Sequence, residues 1–166
     1  SGRLAPACVL CYRWNVPRLL HASLFAAAAL ATVVTGVADE TDEADEAKAA
    51  LEKLGGYVFS DLRSGTVVEV KLNGIKQLTD ADLKHVSAFA SATDLSLEQT
   101  NVTSAGLAHI TSLKKLEWLN LWETKIDDKG LAHLAGLRSL QMLPVGRTKI
   151  TDAGLVHLKG LRALTY

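Results

Sequence analysis

Hydrophobic and polar residues follow a pattern that recurs every 24 residues along the second half of the chain. Leucine opens a short L-x-L or L-x-V stretch at the same place in three successive segments, at Leu95, Leu119 and Leu143. Such a stretch predicts a short strand whose two apolar side chains point inward while the residue between them points outward. The phrases GLAHL from Gly130 and GLVHL from Gly154 predict a short helical segment after each strand.

The helical phrases carry apolar residues at three-residue spacing. GLAHLAGLRSL places four leucines on one inward face: Leu131, Leu134, Leu137 and Leu140. Each such leucine contributes about 1.5–3 kcal/mol when it is buried, and a neighbouring repeat must cover it. Thr103, Asp127 and Thr151 precede the helical segments, where an oxygen-bearing N-cap residue is favoured. The spacing therefore predicts repeats that fold only in the presence of their neighbours.

Two elements are predicted upstream of the repeats. Residues 44–54 form a helix with one apolar face, which ends at Gly55-Gly56. YVFSDLRSGTVVEVKL then predicts two short strands around the turn DLRSG, with Val70 and Leu72 on the buried face. A helix before a repeat array is suited to cap the first exposed edge of the core.

The N-terminal segment has the layout of a secretory signal peptide. Arg13 and Arg18 precede an apolar run over 19–34, and the small residues TGVA follow before Asp39. Cleavage after Ala38 is the favoured interpretation, and an uncleaved membrane anchor or tether through 19–38 is the alternative. Cys8 and Cys11 lie before the apolar run. A lone CxxC is weak evidence for a metal or redox site.

The phrase ITDAGLxHLxGLxxL and its 24-residue period resemble leucine-rich repeat proteins. The resemblance covers 47–166 and is strongest to exported bacterial proteins of planctomycete type. It is weaker to the repeats of F-box adaptors of ubiquitin ligases, because an export signal and not an F-box precedes the repeats. It implies an α/β solenoid with a parallel β-sheet on the concave face, short helices on the convex face and an N-terminal helix/strand cap.

The predicted organisation has three parts. Residues 1–38 are a signal peptide or anchor, and 39–66 are an acidic linker and the N-terminal cap. Residues 67–166 are about four leucine-rich repeats, whose first member carries one extra residue between Leu72 and Leu78. GLRALTY stops where a further strand would begin, so a truncated array is expected.

Composition and motifs argue against several classes of function. Residues 39–166 carry 15 basic and 18 acidic residues, without the basic excess of a nucleic-acid-binding protein. No nucleophile motif or phosphate-binding glycine loop is present. Four histidines recur every 24 residues, too far apart for a shared zinc ion, and are expected at the surface: His85, His109, His133 and His157. Asp127-Asp128 and Thr151-Asp152 fit helix capping better than calcium binding. No enzyme activity, metal or cofactor is therefore expected.

The outward strand positions give the candidate binding site. These positions would line the concave face and include Asp94, Ser96, Met142, Pro144 and Gly146. Tryptophan and arginine are enriched at protein interfaces, and six residues form the predicted site: Glu98, Trp118, Asn120, Trp122, Glu123 and Arg147. The alternative is that Trp118 leans over the strand edge and is simply part-buried. Pro144 is expected to weaken strand pairing in the third regular repeat.

The sequence thus predicts an exported, non-catalytic module that binds a protein or another ligand through its concave face. Its expected location is the periplasm, the cell envelope or the medium. A substrate adaptor of the F-box type and a structural repeat protein of the cell envelope are the alternatives. The predicted partner is a protein of unknown identity.

Overall fold

The structure is a computed structural model that describes residues 40–165. The predicted signal peptide or anchor and both cysteines lie outside these residues. This part of the chain contains four strands, β1 (Tyr57–Ser60), β2 (Val67–Lys71), β3 (Asp94–Ser96) and β4 (Trp118–Asn120). It also contains two α-helices, α1 (Glu40–Lys53) and α2 (Asp128–Leu134). Three 3₁₀ segments complete the helical elements: Asp80–Ala88, Gly106–Ile110 and Gly154–Leu158.

One sheet contains the four strands in the order β1-β2-β3-β4. β1 and β2 form an antiparallel hairpin, as the sequence predicts, and Asp61 orders its turn by accepting hydrogen bonds from the backbone N–H groups of Arg63 and Ser64 at 2.8 Å. β2, β3 and β4 are parallel, with Val70, Leu95 and Leu119 in register. The predicted combination of helices with a parallel sheet is confirmed.

The core is built from the inward residues of each repeat. The four leucines of the α2 repeat are fully buried, as predicted: Leu131, Leu134, Leu137 and Leu140. A threonine in each of the three regular repeats donates a hydrogen bond to a backbone carbonyl beside the core. Thr100, Thr124 and Thr148 each donate a 2.7 Å hydrogen bond to the residue three positions earlier. A polar group that enters the core is thereby paired at the same place in these three repeats.

The helical segments are mostly 3₁₀, and α2 is the only α-helix within the repeats that the structure describes. A 3₁₀ helix has three residues per turn, so leucines spaced by three stay on one face. Leu155 departs from the prediction, because its side chain is 47% exposed although Leu107 and Leu131 at the same frame position are buried. No described repeat packs on Leu155 from the far side, which explains the difference.

The N-terminal helix begins earlier than predicted. It covers Glu40–Lys53 instead of 44–54, so the acidic residues read as linker belong to its first turn. Leu51 and Ala47 are buried, and the helix packs against the first 3₁₀ segment and β1. No helix among residues 40–165 is long and apolar enough to cross a membrane.

The predicted N-caps are confirmed only in part. Asp127 caps α2 by accepting hydrogen bonds from the N–H groups of Lys129 and Gly130. The caps of the second and third 3₁₀ segments are Ala105 and Ala153, two residues after the predicted Thr103 and Thr151. The two threonine hydroxyls instead donate to a carboxylate of the preceding repeat. Thr103 donates to Asp80 at 2.5 Å and Thr151 to Asp128 at 2.7 Å.

Candidate binding surface

The parallel sheet buries one face in the core and turns the other outward. Side chains at odd and even positions of a strand point to opposite faces. Because Val70, Leu95 and Leu119 are buried, their strand neighbours belong to the other side. We call this side the outer sheet face. Two cross-strand rows form its centre, Glu69, Asp94 and Trp118 in one, and Lys71, Ser96 and Asn120 in the other. Outward side chains next to these rows belong to the same face.

The two tryptophans of the predicted site lie on the outer sheet face. Trp118 is half-buried and Trp122 is 40% exposed. A side chain at Gly146 would collide with the six-membered ring of Trp122, so the indole lies directly over the backbone of the next repeat. Met142, which pairs with Trp118 through a single bridge, is 52% exposed. The prediction of irregular pairing near Pro144 is confirmed, since no regular strand forms there.

The polar residues between the tryptophans are more buried than an outward position suggests. Asn120 is 7% exposed, accepts a 3.0 Å hydrogen bond from the N–H of Trp122 and donates one of 3.0 Å to Glu98. Ser96 is 1% exposed, and its hydroxyl has no partner within the described part of the chain. The structure therefore places Asn120 as a support for Glu98 and for the turn into Trp122.

Glu123 and Arg147 form an ion pair at the end of the strands. The Arg147 guanidinium and, next, the Gln99 side chain hold the pKa of Glu123 below its ordinary value. Lys76 lies nearby and donates a 2.6 Å hydrogen bond to the Gln99 carbonyl. Gln99, Glu123 and Arg147 all have φ of 55°, a left-handed backbone conformation. The structure thus joins Glu123 and Arg147 of the predicted site in one polar row.

The hairpin adds two aromatic residues that the sequence analysis did not place in the site. Tyr57 pairs with Lys71 and Phe59 with Glu69, while Val58 between them is buried. Cross-strand partners share a face, so both rings lie on the outer sheet face, where Tyr57 is 67% and Phe59 45% exposed. The Lys71 ammonium lies 5.1 Å from the centre of the Phe59 ring. The alternation of aromatic and aliphatic residues in YVF is the sequence signal from which this placement of both rings could be predicted.

The repeated histidines and acidic residues have surface or structural positions. His109, His133 and His157 are exposed and His85 is half-buried, as predicted. The Ser104 hydroxyl is the main cause of a lowered pKa at Asp127. Within residues 40–165, no group of three or more histidine, cysteine, aspartate or glutamate side chains is arranged to hold a metal ion. The outer sheet face offers aromatic surface, carboxylates and one exposed guanidinium for non-covalent contacts.

The described repeats have features that are typical of leucine-rich repeats. The chain has a 24-residue repeat with inward leucines and with a threonine at one fixed position of each regular repeat. Its strands pair in parallel register. These features agree with the predicted leucine-rich repeat pattern, and the finer resemblance to exported planctomycete-type proteins stays a prediction.

No family model matches the chain, and no curated protein matches it. Among solved structures, the chain is similar to the LRR ectodomain of the receptor kinase SOBIR1 from Arabidopsis thaliana. The identity is 15%, with 74% of this chain and 76% of that chain covered and a TM-score of 0.45. It is also similar to an internalin, InlF, from Listeria monocytogenes, at 19% identity, with 81% of this chain and 46% of that chain covered and a TM-score of 0.43.

Proposed function

We propose that the chain is a non-catalytic binding module that holds a protein partner on the outer sheet face. In this proposal the repeats form a leucine-rich repeat solenoid, and the outer sheet face is its concave side. The helix α1, whose Leu51 is fully buried, serves as the N-terminal cap together with the hairpin. Gln77 in the first repeat supports this arrangement by donating a 3.0 Å hydrogen bond to the Leu54 carbonyl.

The concentration of large apolar side chains on one face carries the proposal. Among the described residues, seven large hydrophobic side chains are exposed, and four of them lie on the outer sheet face or at its border: Tyr57, Phe59, Trp122 and Met142. Trp118 adds a half-buried indole between them. Several exposed apolar side chains on one face of a folded domain are typical of interaction sites, and aromatic residues and methionine are enriched there.

The polar residues of the site have distinct proposed roles. Trp118 and Trp122 provide contact area, because rigid aromatic side chains lose little conformational entropy on binding. Glu98, Glu123 and Arg147 form a polar rim, and Asn120 fixes Glu98 through its 3.0 Å hydrogen bond. Exposed ion pairs such as Glu123–Arg147 contribute little to affinity by themselves, so the rim governs orientation more than strength.

Export is part of the proposal. Its support is the order of a basic segment, an apolar run over 19–34 and small residues before Asp39. N-terminal sequencing of the protein recovered from the envelope fraction or the medium would identify a start at Asp39. Recovery of the unprocessed chain from the cytosol alone would contradict export, and it would leave the binding face untouched.

Capture of a partner tests the binding function. The full chain would be immobilised and exposed to the envelope fraction of its source organism, and captured proteins would be identified by mass spectrometry. We expect the Trp118→Ala/Trp122→Ala variant to lose about tenfold or more of the captured partner, as for interface hot spots. Circular dichroism spectra should remain those of the native chain.

A variant away from the sheet provides the matched control. Val156→Ala removes an exposed apolar side chain from the last 3₁₀ segment, outside the apolar depression that Leu155 shares with Met142. This variant should capture the partner as well as the native chain does. Equal loss in both variants, or no loss in the tryptophan variant, would refute the outer sheet face as the binding surface.

A further inference from the structure

A shallow depression on the outer sheet face combines acidic and aromatic walls. Its volume is about 480 Å³, and its lining residues come from all three parallel strands and from the residues around Met142: Glu69, Lys71, Asp94, Glu117, Trp118, Gln141 and Met142. Three of these residues are carboxylates and one is an ammonium, so the lining carries a net charge of −2 at neutral pH. The depression therefore attracts cations.

Only one of the three carboxylates has a cationic partner within the described residues. Lys71 pairs with Glu69 at 2.7 Å. Asp94 accepts a 2.6 Å hydrogen bond from the Thr93 hydroxyl through Oδ2, and Glu117 accepts one of 3.0 Å from the Gln141 amide through Oε2. Both bonds come from neutral groups, so the negative charges of Asp94 and Glu117 remain uncompensated.

The aromatic residues stand in register with these charges. Phe59 pairs with Glu69, Glu69 with Asp94, and Asp94 with Trp118, so one row across the sheet reads aromatic, acidic, acidic, aromatic. Neighbouring strands lie about 4.8 Å apart, which places Phe59 about 14 Å from Trp118. In an extended peptide, side chains at positions i, i+2 and i+4 share one face and span about 13 Å. The two lengths match.

We propose that the partner presents an extended segment across the strands, with an arginine between two apolar residues. The arginine lies over Asp94 and beside Trp118, and the apolar residues rest on Phe59 and on Trp118 with Met142. Arginine suits this place because its planar guanidinium both stacks on aromatic rings and pairs with carboxylates. This inference rests on the proposed function and adds the chemistry of the partner.

A peptide titration followed by NMR tests the inference at the site itself. The ¹⁵N-labelled full chain would be titrated with the peptide Ac-GLSRSLG-amide, and with a matched peptide in which the uncharged isostere citrulline replaces arginine. The arginine peptide should shift the indole N–H signals of Trp118 and Trp122. We expect the citrulline peptide to bind about tenfold more weakly, because the charge contacts of the arginine with Asp94 and with the nearby Glu117 are lost.

Variants with neutral side chains test which carboxylates recognise the arginine. Asp94→Asn/Glu117→Gln keeps the acceptor oxygens for Thr93 and Gln141, so the local fold is preserved. This variant should bind the arginine peptide about tenfold more weakly than the native chain does, with an unchanged affinity for the citrulline peptide. Glu52→Gln/Asp152→Asn removes two exposed carboxylates outside the sheet and should change neither affinity.

Equal affinities for the two peptides, an absence of indole shifts at millimolar peptide, or an unchanged affinity in the Asp94/Glu117 variant would each overturn the proposed partner chemistry. Those results would leave the binding function in place if the tryptophan variant still loses its natural partner. Failure of the tryptophan variant to lose that partner would instead refute the binding function itself.

Discussion

Four residues at one position of the repeat frame share a left-handed backbone. Gly74 has φ of 71°, and its successors Gln99, Glu123 and Arg147 have φ of 55°. Glycine takes this conformation without steric cost, whereas other residues bring Cβ close to the following carbonyl at about 1–2 kcal/mol each. Gln99, Glu123 and Arg147 thus occupy positions where glycine would give a more stable fold. All three belong to the polar row beside Trp122. Strained residues of this kind cluster at ligand-binding positions.

Glycine at one of these positions should stabilise the protein relative to alanine. Gln99→Gly and Gln99→Ala both remove the same side-chain contacts, so their difference isolates the backbone. We expect Gln99→Gly to unfold at higher urea concentration than Gln99→Ala, by about 1 kcal/mol in the free energy of unfolding. Equal stability of the two variants would contradict the left-handed conformation.

The strand alternation predicts which face a residue occupies but not how far its neighbours cover it. Trp118, Asn120 and Trp122 all point outward, as the period of two requires, yet Asn120 is buried and Trp122 is exposed. A small or medium side chain between larger ones is shaded by them, and its burial depends on rotamers that the sequence alone does not specify. Ser96 is buried in the same way.

At the scale of elements, each pair of successive repeats is joined by a carboxylate and a hydroxyl. Asp80 accepts from Thr103, Asp127 from Ser104, and Asp128 from Thr151. The sequence predicts that Thr103 and Thr151 cap the helical segments of their own repeats. The correct partners lie in the preceding repeat, and only the stacking distance between repeats brings them together.

Protonation of the Asp128 junction should destabilise the fold in acid. The backbone N–H of Thr151, and next its hydroxyl, lower the pKa of Asp128 from 3.8. A carboxyl whose pKa is lower in the folded chain stabilises it above pH 3.8, and that stabilisation is lost as pH falls through the folded value. Asp128→Asn should therefore be less stable than the native chain at pH 6 but show a shallower loss of stability between pH 4 and 2. Urea unfolding across this range measures both slopes, and parallel slopes would refute the assignment.

The leucine spacing alone does not predict the type of helix. Leu107, Ile110, Leu113 and Leu116 are all buried and succeed one another at intervals of three. That interval fits the three-residue turn of a 3₁₀ helix. However, the next repeat has the same interval of buried leucines, and its helix α2 is an α-helix. The first and last residues of the helices were harder to predict from the sequence. The first residue of α1 depends on packing against the first repeat as well as on its own sequence.

At the scale of the whole molecule, the core is continuous only where repeats cover one another. Leu131 and Leu155 occupy the same frame position, but Leu131 is fully buried and Leu155 is 47% exposed. The sequence predicts both as core residues, since periodicity describes a repeat and not its neighbours. The stability contributed by each leucine follows from the adjacent repeat.

This dependence gives a direct comparison of two identical substitutions. Leu131→Ala should cost about 2–5 kcal/mol in the free energy of unfolding, as for other buried leucines. Leu155→Ala should cost about 1 kcal/mol or less, because surface substitutions have small effects. Thermal or urea unfolding of the two variants measures the difference. Similar losses would show that Leu155 is covered in solution.

The contribution of the hairpin to the binding surface was hidden in the sequence. Tyr57 and Phe59 alternate with Val58, so their shared direction was readable. Their placement beside Lys71 and Glu69 depends on the antiparallel register of β1 with β2, which includes a bulge after Phe59. A shift of one residue would turn both rings to the other face. The tryptophans were found because they lie within the repeat frame, and the hairpin rings were missed because they lie outside it.

The central claim is that partners bind the outer sheet face, and site-specific photo-crosslinking tests it most directly. A photoreactive phenylalanine would replace Met142 on that face in one variant and the exposed His133 on α2 in another. Both full-length variants would be irradiated with the envelope fraction. The account predicts a covalent adduct with the partner from position 142 and none from position 133. An adduct from position 133 with none from position 142 would contradict it.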